Sequence, residues 1–188
     1  MKQGCSKIQA WSFTVLALTM PLAACSNAEP TAQPPQQSTS PEENSSIQIP
    51  NPKNAAAVEP CDILSAQAAV ELGFQPEGKS AHEGTGCRWY SEDRSRNIAL
   101  IVLQDRSIRE FYDSKSIYVD YEELTIADHP AVRANQGDPA EDGFCDFFLA
   151  TDTNQLIQAS GSDTSHADAC GPARKALEAA VPNLPAAN

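Results

Sequence analysis

The chain has 188 residues, of which 25 are acidic and 13 are lysine or arginine, so its formal net charge is −12 at pH 7. A chain this acidic has no basic stripe to neutralise phosphates, which argues against binding to nucleic acid or to an anionic membrane surface. The part that follows the two N-terminal segments described below is long enough for one domain with one core, but not for two.

Residues 1–24 have the three parts of a secretory leader. Lys2 and Lys7 give a positive front end, the apolar run from Trp11 to Ala24 follows, and small residues form the cleavage site. The run is interrupted by Pro21 and is shorter than the roughly 20 apolar residues that a membrane-spanning helix needs. The sequence therefore predicts a signal peptide, whose removal takes away both lysines and leaves a net charge of −14.

The four residues from Leu22 to Cys25 resemble the lipobox of bacterial lipoproteins, whose cysteine is lipidated and becomes the first mature residue. Two acyl chains on Cys25 are enough for stable anchoring, because each buried methylene contributes about 0.8 kcal/mol. We therefore expect attachment to the membrane through this lipid, on the extracytoplasmic face of the cell membrane. The alternative is an ordinary secretory leader cut after Ala23 or Ala24, with Cys25 merely present.

Residues 25–60 are predicted to be a tether that carries the lipidated cysteine. Proline, glutamine, serine, asparagine and glutamate dominate this segment, and it has almost no large apolar residue. Such a composition buries too little apolar surface to order itself. Ile47 and Ile49 leave a choice between a solvated linker, a segment docked on the domain and the start of an edge strand.

The domain is predicted over residues 61–188 and begins with a short helix. Ser65 fits the N-cap of this helix, and Gly73 fits the left-handed position that ends it. The unbroken apolar run from Ile98 to Leu103 is typical of a strand covered on both faces, at the centre of a sheet. The first predicted elements are one helix and two strands, at residues 66–72, 86–92 and 97–104.

Ser107 and Glu110 form a capping-box pattern, which predicts a second helix that runs to about Lys115. Four strands follow, at residues 121–127, 131–135, 144–151 and 155–160, with a turn at residues 128–130 and an acidic loop at residues 136–143. A final helix carries an apolar stripe from Ala169 to Leu184. Its start is left open, because Ser165 is a possible early cap whereas Pro172 suits the first turn.

The predicted order is α-β-β-α-β-β-β-β-α with short connections. Strands joined by short turns pair as antiparallel neighbours, and the helices must bury their apolar faces against the sheet. The sequence therefore predicts the α+β class, an antiparallel sheet with helices packed on it.

Cysteine content agrees with export. Cys5 leaves with the leader, and an even number of cysteines remains in the predicted domain: Cys61, Cys87, Cys145 and Cys170. No pair has a C-x-x-C spacing, so disulfides are favoured over zinc. We predict the pairs Cys61–Cys87 and Cys145–Cys170, each of which joins a segment next to a helix to a neighbouring strand. The main competitor joins Cys61 to Cys170 at the two ends of the domain.

With these residues placed, the chain resembles the actinobacterial lipoproteins classed as domain of unknown function 3558. The matching features are the lipobox and tether, Pro60-Cys61-Asp62-Ile63-Leu64, Cys87-Arg88-Trp89, His129-Pro130-Ala131-Val132, Cys145, and Cys170-Gly171-Pro172-Ala173 with Leu177. The resemblance covers roughly the whole mature chain. It implies an envelope lipoprotein with paired cysteines, and it carries over no catalytic residue.

Catalytic and metal-binding patterns are weak. The segment around Ser160 lacks the G-x-S-x-G frame of a nucleophile elbow. The three histidines are scattered and are predicted to be surface or turn residues rather than ligands: His82, His129 and His166. The acidic residues Asp138, Glu141 and Asp142 lack the spacing of a calcium loop and fit a solvated loop. We therefore expect no metal, no cofactor and no catalytic residue.

The preferred functional hypothesis is a non-enzymatic, lipid-anchored envelope module that binds a small ligand or another envelope protein. The alternative is an envelope hydrolase or a metal-assisted enzyme whose carboxylates are brought together only by the fold. A spacer or coat protein without a partner is a third possibility. A concave pocket in which acids or a histidine converge would favour an enzyme, and a groove without them would favour a binding module.

Overall fold

The structure, a computed structural model, describes residues 47–187. The predicted leader, the lipidation site at Cys25 and most of the predicted tether lie outside the described residues. Within the described part, no helix has both the length and the apolar character needed to cross a bilayer.

In residues 47–187, seven strands form one sheet, in which every pair of neighbours is antiparallel. In chain order they are β1 (Lys79–Ala81), β2 (Gly86–Tyr90), β3 (Arg96–Gln104), β4 (Asp120–Ile126), β5 (His129–Asn135), β6 (Phe144–Asp152) and β7 (Gln155–Asp163). Their order across the sheet is β1-β2-β3-β7-β6-β5-β4. The predicted α+β class with an antiparallel sheet is confirmed, and β3 lies inside the sheet because its apolar run is buried on both faces.

The described part of the chain also has four α-helices: α1 (Ala66–Glu71), α2 (Arg109–Asp113), α3 (Pro139–Asp142) and α4 (Cys170–Ala180). Short 3-10 turns lie at Ala55–Ala57, Pro60–Asp62, His82–Gly84, Lys115–Ile117 and Val181–Asn183. The Ser65 hydroxyl accepts a hydrogen bond from the backbone N–H of Ala68, which confirms the predicted cap of α1. Two elements were not predicted: the short edge strand β1, and α3 in the acidic loop.

Helix α3 forms because the local sequence caps both of its ends. The Asp138 carboxylate accepts a hydrogen bond from the backbone N–H of Ala140, and Pro139 occupies the first turn, where it is well tolerated. Gly143 follows in the left-handed conformation, with φ of 69°. The expected acidic loop is therefore a single capped helical turn.

Side-chain alternation gives the sheet two different faces. The face that we call the α4 face carries Trp89, Leu100, Phe147 and Ile157 and packs under α1 and α4 in the main core. The opposite face, the α2 face, is covered over part of its area by Ile108 and Phe111. There they pack on Val132, Ala134, Ala150 and Leu156 in a second, smaller cluster.

Helix α4 begins at Cys170, which places Pro172 in its first turn. Asp168, rather than Ser165, supplies the local cap, because its carboxylate accepts a hydrogen bond of 2.6 Å from the backbone N–H of Gly171. The helix packs across β3, β6 and β7. Of the two possible starts, the structure therefore has the one that suits Pro172.

Both predicted disulfides are present. Cys61 is bonded to Cys87, and Cys145 is bonded to Cys170. The first bond fixes the segment before α1 to β2, and the second fixes the start of α4 to β6. The competing pair Cys61–Cys170 is therefore absent.

The segment before Cys61 packs against the sheet. Ala55 is fully buried in the main core, and Ile47 and Ile49 contact the smaller cluster on the α2 face. The backbone N–H of Lys53 donates to the carbonyl of Thr151, and Lys53 also forms a bridge with Ala186 near the other end of the chain. Residues that the sequence assigned to the tether are thus part of the folded body.

His129 differs from the prediction of a surface or turn residue. The turn between β4 and β5 uses Ala127 and Asp128, both with positive φ, and His129 is the first residue of β5. Its side chain is buried, and its Nδ1 lies 2.7 Å from the carbonyl oxygen of Ala127. Two consecutive residues with positive φ form the tight turn that is favoured in hairpins. The turn therefore ends at Asp128, and His129 belongs to β5 rather than to the turn.

Candidate functional site

A groove of about 440 Å³ opens on the α2 face, between α2 and the first half of β6. We call it the aromatic groove, because four aromatic side chains line it: Phe111, Tyr118, Phe144 and Phe148. The polar residues that line it are Arg106, Asn135, Gln136, Asp142, Asp146 and Gln158. Its volume lies in the range that is usual for small-molecule sites.

Strand β6 supplies the floor of the groove. Phe144, Asp146 and Phe148 alternate with core residues and therefore lie on the α2 face. Successive residues of this row are about 7 Å apart along the strand, since each residue adds about 3.3 Å. A carboxylate thus lies between two phenyl rings on one strand.

Helix α2 and the turn after it supply a wall of stacked rings. The ring centroids of Phe111 and Phe148 are 4.1 Å apart, and those of Phe111 and Tyr118 are 6.1 Å apart. Tyr118 in turn stacks on Tyr121 of β4, at 6.0 Å. Phe111 is buried and fixes α2 on the sheet, whereas Phe144 is 63% exposed and free of this stack.

The polar groups on the floor form a short hydrogen-bonded row. The amide of Gln158 donates to the Ser160 hydroxyl at 3.2 Å, and this hydroxyl donates to Oδ1 of Asp146. Among the described residues, nothing donates a hydrogen bond to Oδ2 of Asp146. One carboxylate oxygen therefore remains available to a ligand.

The groove is negatively charged. Asp142 and Asp146 are two carboxylates in its lining, and Arg106, the one cation among the described lining residues, is paired with Glu110 at 2.6 Å. That pair neutralises the guanidinium locally, so the charge of the two aspartates is left uncompensated.

A smaller cavity of about 270 Å³ lies beside Cys170 and brings together Asp120, Arg133, Asp138, His166 and Asp168. The three aspartates of this cavity already accept hydrogen bonds from other parts of the domain. Asp120 accepts two hydrogen bonds from Arg133, while Asp138 and Asp168 each accept one from a backbone N–H in the helix that follows. The cavity is therefore built from structural contacts rather than from a pair of free carboxylates.

Burial raises the pKa of Asp120, but hydrogen bonds from Arg133 and Asn135 outweigh it, and the pKa lies below its usual value. Glu122 also contacts Arg133, at 2.9 Å. This acid is the ionised partner of an ion pair at neutral pH, which is unlike the proton-donating acid of a glycosidase.

The histidines do not meet in one place. His82 and His166 are exposed, as predicted, while His129 is buried under the C-terminal segment. Trp89 lies in the main core. In the described part of the chain, no group of three or more histidine, cysteine, aspartate or glutamate residues is arranged to hold a metal ion.

The aromatic groove was missed from the sequence, although part of its signal was visible. The alternation of Phe144, Asp146 and Phe148 in β6 places the three side chains on one face. The walls, however, come from Phe111 and Tyr118, about 30 residues earlier in the chain, and only the fold brings them to β6.

Comparison with known proteins places the chain in one family. No curated protein matches it. Residues 20–183, which are most of the chain, match the family described as a protein of unknown function, DUF3558. The order of motifs from the opening Pro60-Cys61 to Leu177 in α4 lies inside the matched range. The chain therefore belongs to the DUF3558 family.

Proposed function

We propose that this protein is a lipoprotein anchored through Cys25 to the extracytoplasmic face of the cell membrane, and that its domain binds a small ligand without transforming it. The observation that carries the binding role is the aromatic groove, which is lined by four aromatic and six polar side chains. Ligand sites combine aromatic surfaces with polar groups that orient the ligand.

The compartment is supported by the leader pattern and by the cysteines. The residues Leu22 to Cys25 have the pattern of a lipobox, and the four cysteines of the domain form two disulfides. Disulfides persist in oxidising compartments outside the cytoplasm. An exported domain held near the membrane is therefore the reading that both features support.

Binding is favoured over hydrolysis by the way the reactive groups are used. The Ser160 hydroxyl donates directly to Asp146, and no histidine lines the groove in the described structure. A serine nucleophile is normally activated by a base that is itself oriented by a third group. The groove offers hydrogen-bonding groups and ring faces, which are the elements of recognition.

The anchor is tested by labelling cells with radioactive palmitate. We expect label in the wild-type protein and none in Cys25→Ser, with the variant released from the membrane fraction. Equal membrane retention of both proteins contradicts the anchor.

The binding role is tested by NMR with a set of neutral, anionic and cationic fragments added to the full chain. We expect at least one class to shift the signals of Phe144 and Phe148 in a saturable way. Val70→Ala is the control variant for these shifts, because Val70 is exposed on α1, away from the groove, and its substitution should leave them unchanged. Absence of any saturable shift in the groove contradicts the binding role.

Recognition of another envelope protein is a second candidate, which three exposed apolar side chains favour. Ile117 is 62% exposed, Val119 is 72% exposed, and both are chain neighbours of Tyr118, which lines the groove. Phe144, on the floor of the groove, is the third. Crosslinking in cells, repeated with Val119→Ser, tests whether a specific partner is captured through this edge.

A further inference from the structure

Charge and ring geometry narrow the class of ligand that fits the aromatic groove. We infer that the groove binds a small organic cation, an ammonium group carried on a short apolar body. This inference rests on the proposed function, since it requires that the groove is a ligand site.

The aromatic side chains of the groove are suited to a cation. An ammonium group is attracted to the face of an aromatic ring when it lies within about 6 Å of the ring centre. Phe144 and Phe148 lie on either side of Asp146 along β6, and Tyr118 lines the same groove. A cation held at Asp146 would therefore have an aromatic residue two positions away in each direction along the strand and Tyr118 in the same groove.

The carboxylates of Asp146 and Asp142 supply negative charge for the same cation. Oδ1 of Asp146 accepts the Ser160 hydroxyl, while no described residue donates to Oδ2, which is free to accept a ligand N–H or to neutralise a quaternary ammonium. Asp142 adds a second negative charge at the edge. Arg106, the cation of the lining, is held by Glu110.

The competing ligand classes fit less well. An anionic ligand would meet two carboxylates in the lining and a third, Glu110, beside Arg106. A neutral apolar ligand would gain the ring contacts only and would desolvate Asp146 without replacing its lost hydration. The net charge of −12 also attracts cations to the molecule before contact.

The size of the groove favours a small molecule over a polymer. A volume of about 440 Å³ is of the size that a compact small molecule occupies. The occupant that these features fit is therefore a free amine or quaternary ammonium compound.

The experiment compares three probes of equal shape and different charge, by NMR titration of the full chain. The probes are choline, its neutral isostere 3,3-dimethylbutan-1-ol and the anion 3,3-dimethylbutanoate. We expect choline to shift the signals of Phe144 and Phe148, with an affinity at least about tenfold higher than that of the neutral isostere.

Three variants locate the interaction. Asp146→Asn keeps the shape and the acceptor for Ser160 and is expected to weaken choline binding about tenfold. Glu141→Gln removes the same charge from an exposed neighbour outside the groove and is expected to change it less than twofold. Phe144→Leu keeps an apolar side chain without a ring face and is expected to weaken binding about three- to fivefold.

The possible results distinguish failure of the cation inference from failure of the proposed ligand-binding function. Stronger or equal groove binding of the neutral or anionic probe overturns the cation inference and leaves the groove as a ligand site. Equal effects of Asp146→Asn and Glu141→Gln, or no effect of Phe144→Leu, also overturn the inference, because the attraction is then not local. Absence of binding by every probe in the groove, together with a negative fragment set, overturns the proposed function itself.

Discussion

Asp120 and Arg133 are joined across strands β4 and β5 by two parallel hydrogen bonds, of 2.8 Å from Nε and 2.7 Å from Nη2. Asn135 donates a further hydrogen bond of 2.7 Å to Asp120 and lies 3.8 Å from the sulfur of Cys145. This arrangement connects the edge strand β4 to the strand that carries the second disulfide. The pair is partly exposed, with 19% of the Asp120 side chain and 30% of the Arg133 side chain accessible.

We expect Asp120→Asn to lower the free energy of unfolding by about 1–2 kcal/mol at pH 7, between the values of exposed and buried ion pairs. Glu122→Gln is the matched control, because Glu122 also contacts Arg133 but its side chain is 52% exposed. Its effect should be below about 0.5 kcal/mol. Urea unfolding measures both, and equal effects of the two variants would show that Asp120 has no special role.

The same pair makes stability depend on pH. The folded-state pKa of Asp120 is lowered, so its contribution is fully present above the unfolded pKa and is lost as the pH falls through the folded pKa. The difference between the wild type and Asp120→Asn should therefore shrink as the solution is acidified below the ordinary range of aspartate. Thermal unfolding from neutral to acidic pH checks this, and a constant difference is the contradicting result.

The two disulfides close loops of similar length, with sequence separations of 26 and 25 residues. In the chain-entropy model each is worth about 3 kcal/mol, because it restricts the unfolded chain. We expect the double variants Cys61→Ala/Cys87→Ala and Cys145→Ala/Cys170→Ala each to lose about this amount. Urea unfolding measures the loss, and unchanged melting of the wild type after reduction would contradict the prediction.

Local patterns predict six of the seven described strands, all except the short edge strand β1, and both disulfides. The apolar run of β3 and the alternation from Cys145 to Phe148 depend on side-chain periodicity, which the sequence displays directly. The pairing of Cys61 with Cys87 is predicted because Cys61 lies just before α1 and Cys87 lies in β2, and the sequence places both elements correctly. Periodicity and spacing are local properties, and the structure retains them.

The burial of Ala55 and the aromatic groove were not predicted, because both depend on contacts between segments that are distant in the chain. Ala55 is buried through packing and through a hydrogen bond of 2.6 Å from its N–H to the side chain of Gln155, which is 100 residues away. Its own sequence neighbourhood, rich in alanine, proline and asparagine, is typical of a linker. The aromatic groove was missed for the same reason, since α2 supplies one wall and β6 the floor.

The packed N-terminal segment predicts where the stable body begins. A chain that starts at Cys61 should be about 3–5 kcal/mol less stable than one that starts at Ile47, because it lacks the apolar contacts and backbone hydrogen bonds of this segment. Urea unfolding of the two chains makes the comparison. Equal stability would mean that the segment packs without contributing.

A point substitution tests the same contact without removing backbone. Ala55→Leu should destabilise the protein by about 1–3 kcal/mol, since Ala55 is fully buried and the core has no room for a larger side chain. Ala56→Leu is the control, because the neighbouring alanine is exposed. The two variants should therefore differ in melting temperature, and identical behaviour would place residue 55 outside the core.

The start of α4 lies close against the sheet at Gly161 of β7. A Cβ atom at this position would lie 1.9 Å from the carbonyl oxygen of Ala169 and 3.2 Å from the side chain of Ala173. Gly161 is also the register partner of Cys145, whose disulfide to Cys170 holds the start of α4 in place. The helix therefore cannot move away to make room.

We expect Gly161→Ala to lower the free energy of unfolding by about 3 kcal/mol, because the added methyl group overpacks this contact. Ser162→Ala, at the next position but on the α2 face, should change it by less than about 0.5 kcal/mol. In the background of Cys145→Ala/Cys170→Ala the helix is no longer fixed to β6, so the same glycine substitution should cost clearly less. Urea unfolding of the four proteins in this cycle gives the coupling between the glycine and the disulfide. Strict additivity would show that the disulfide does not hold α4 against β7.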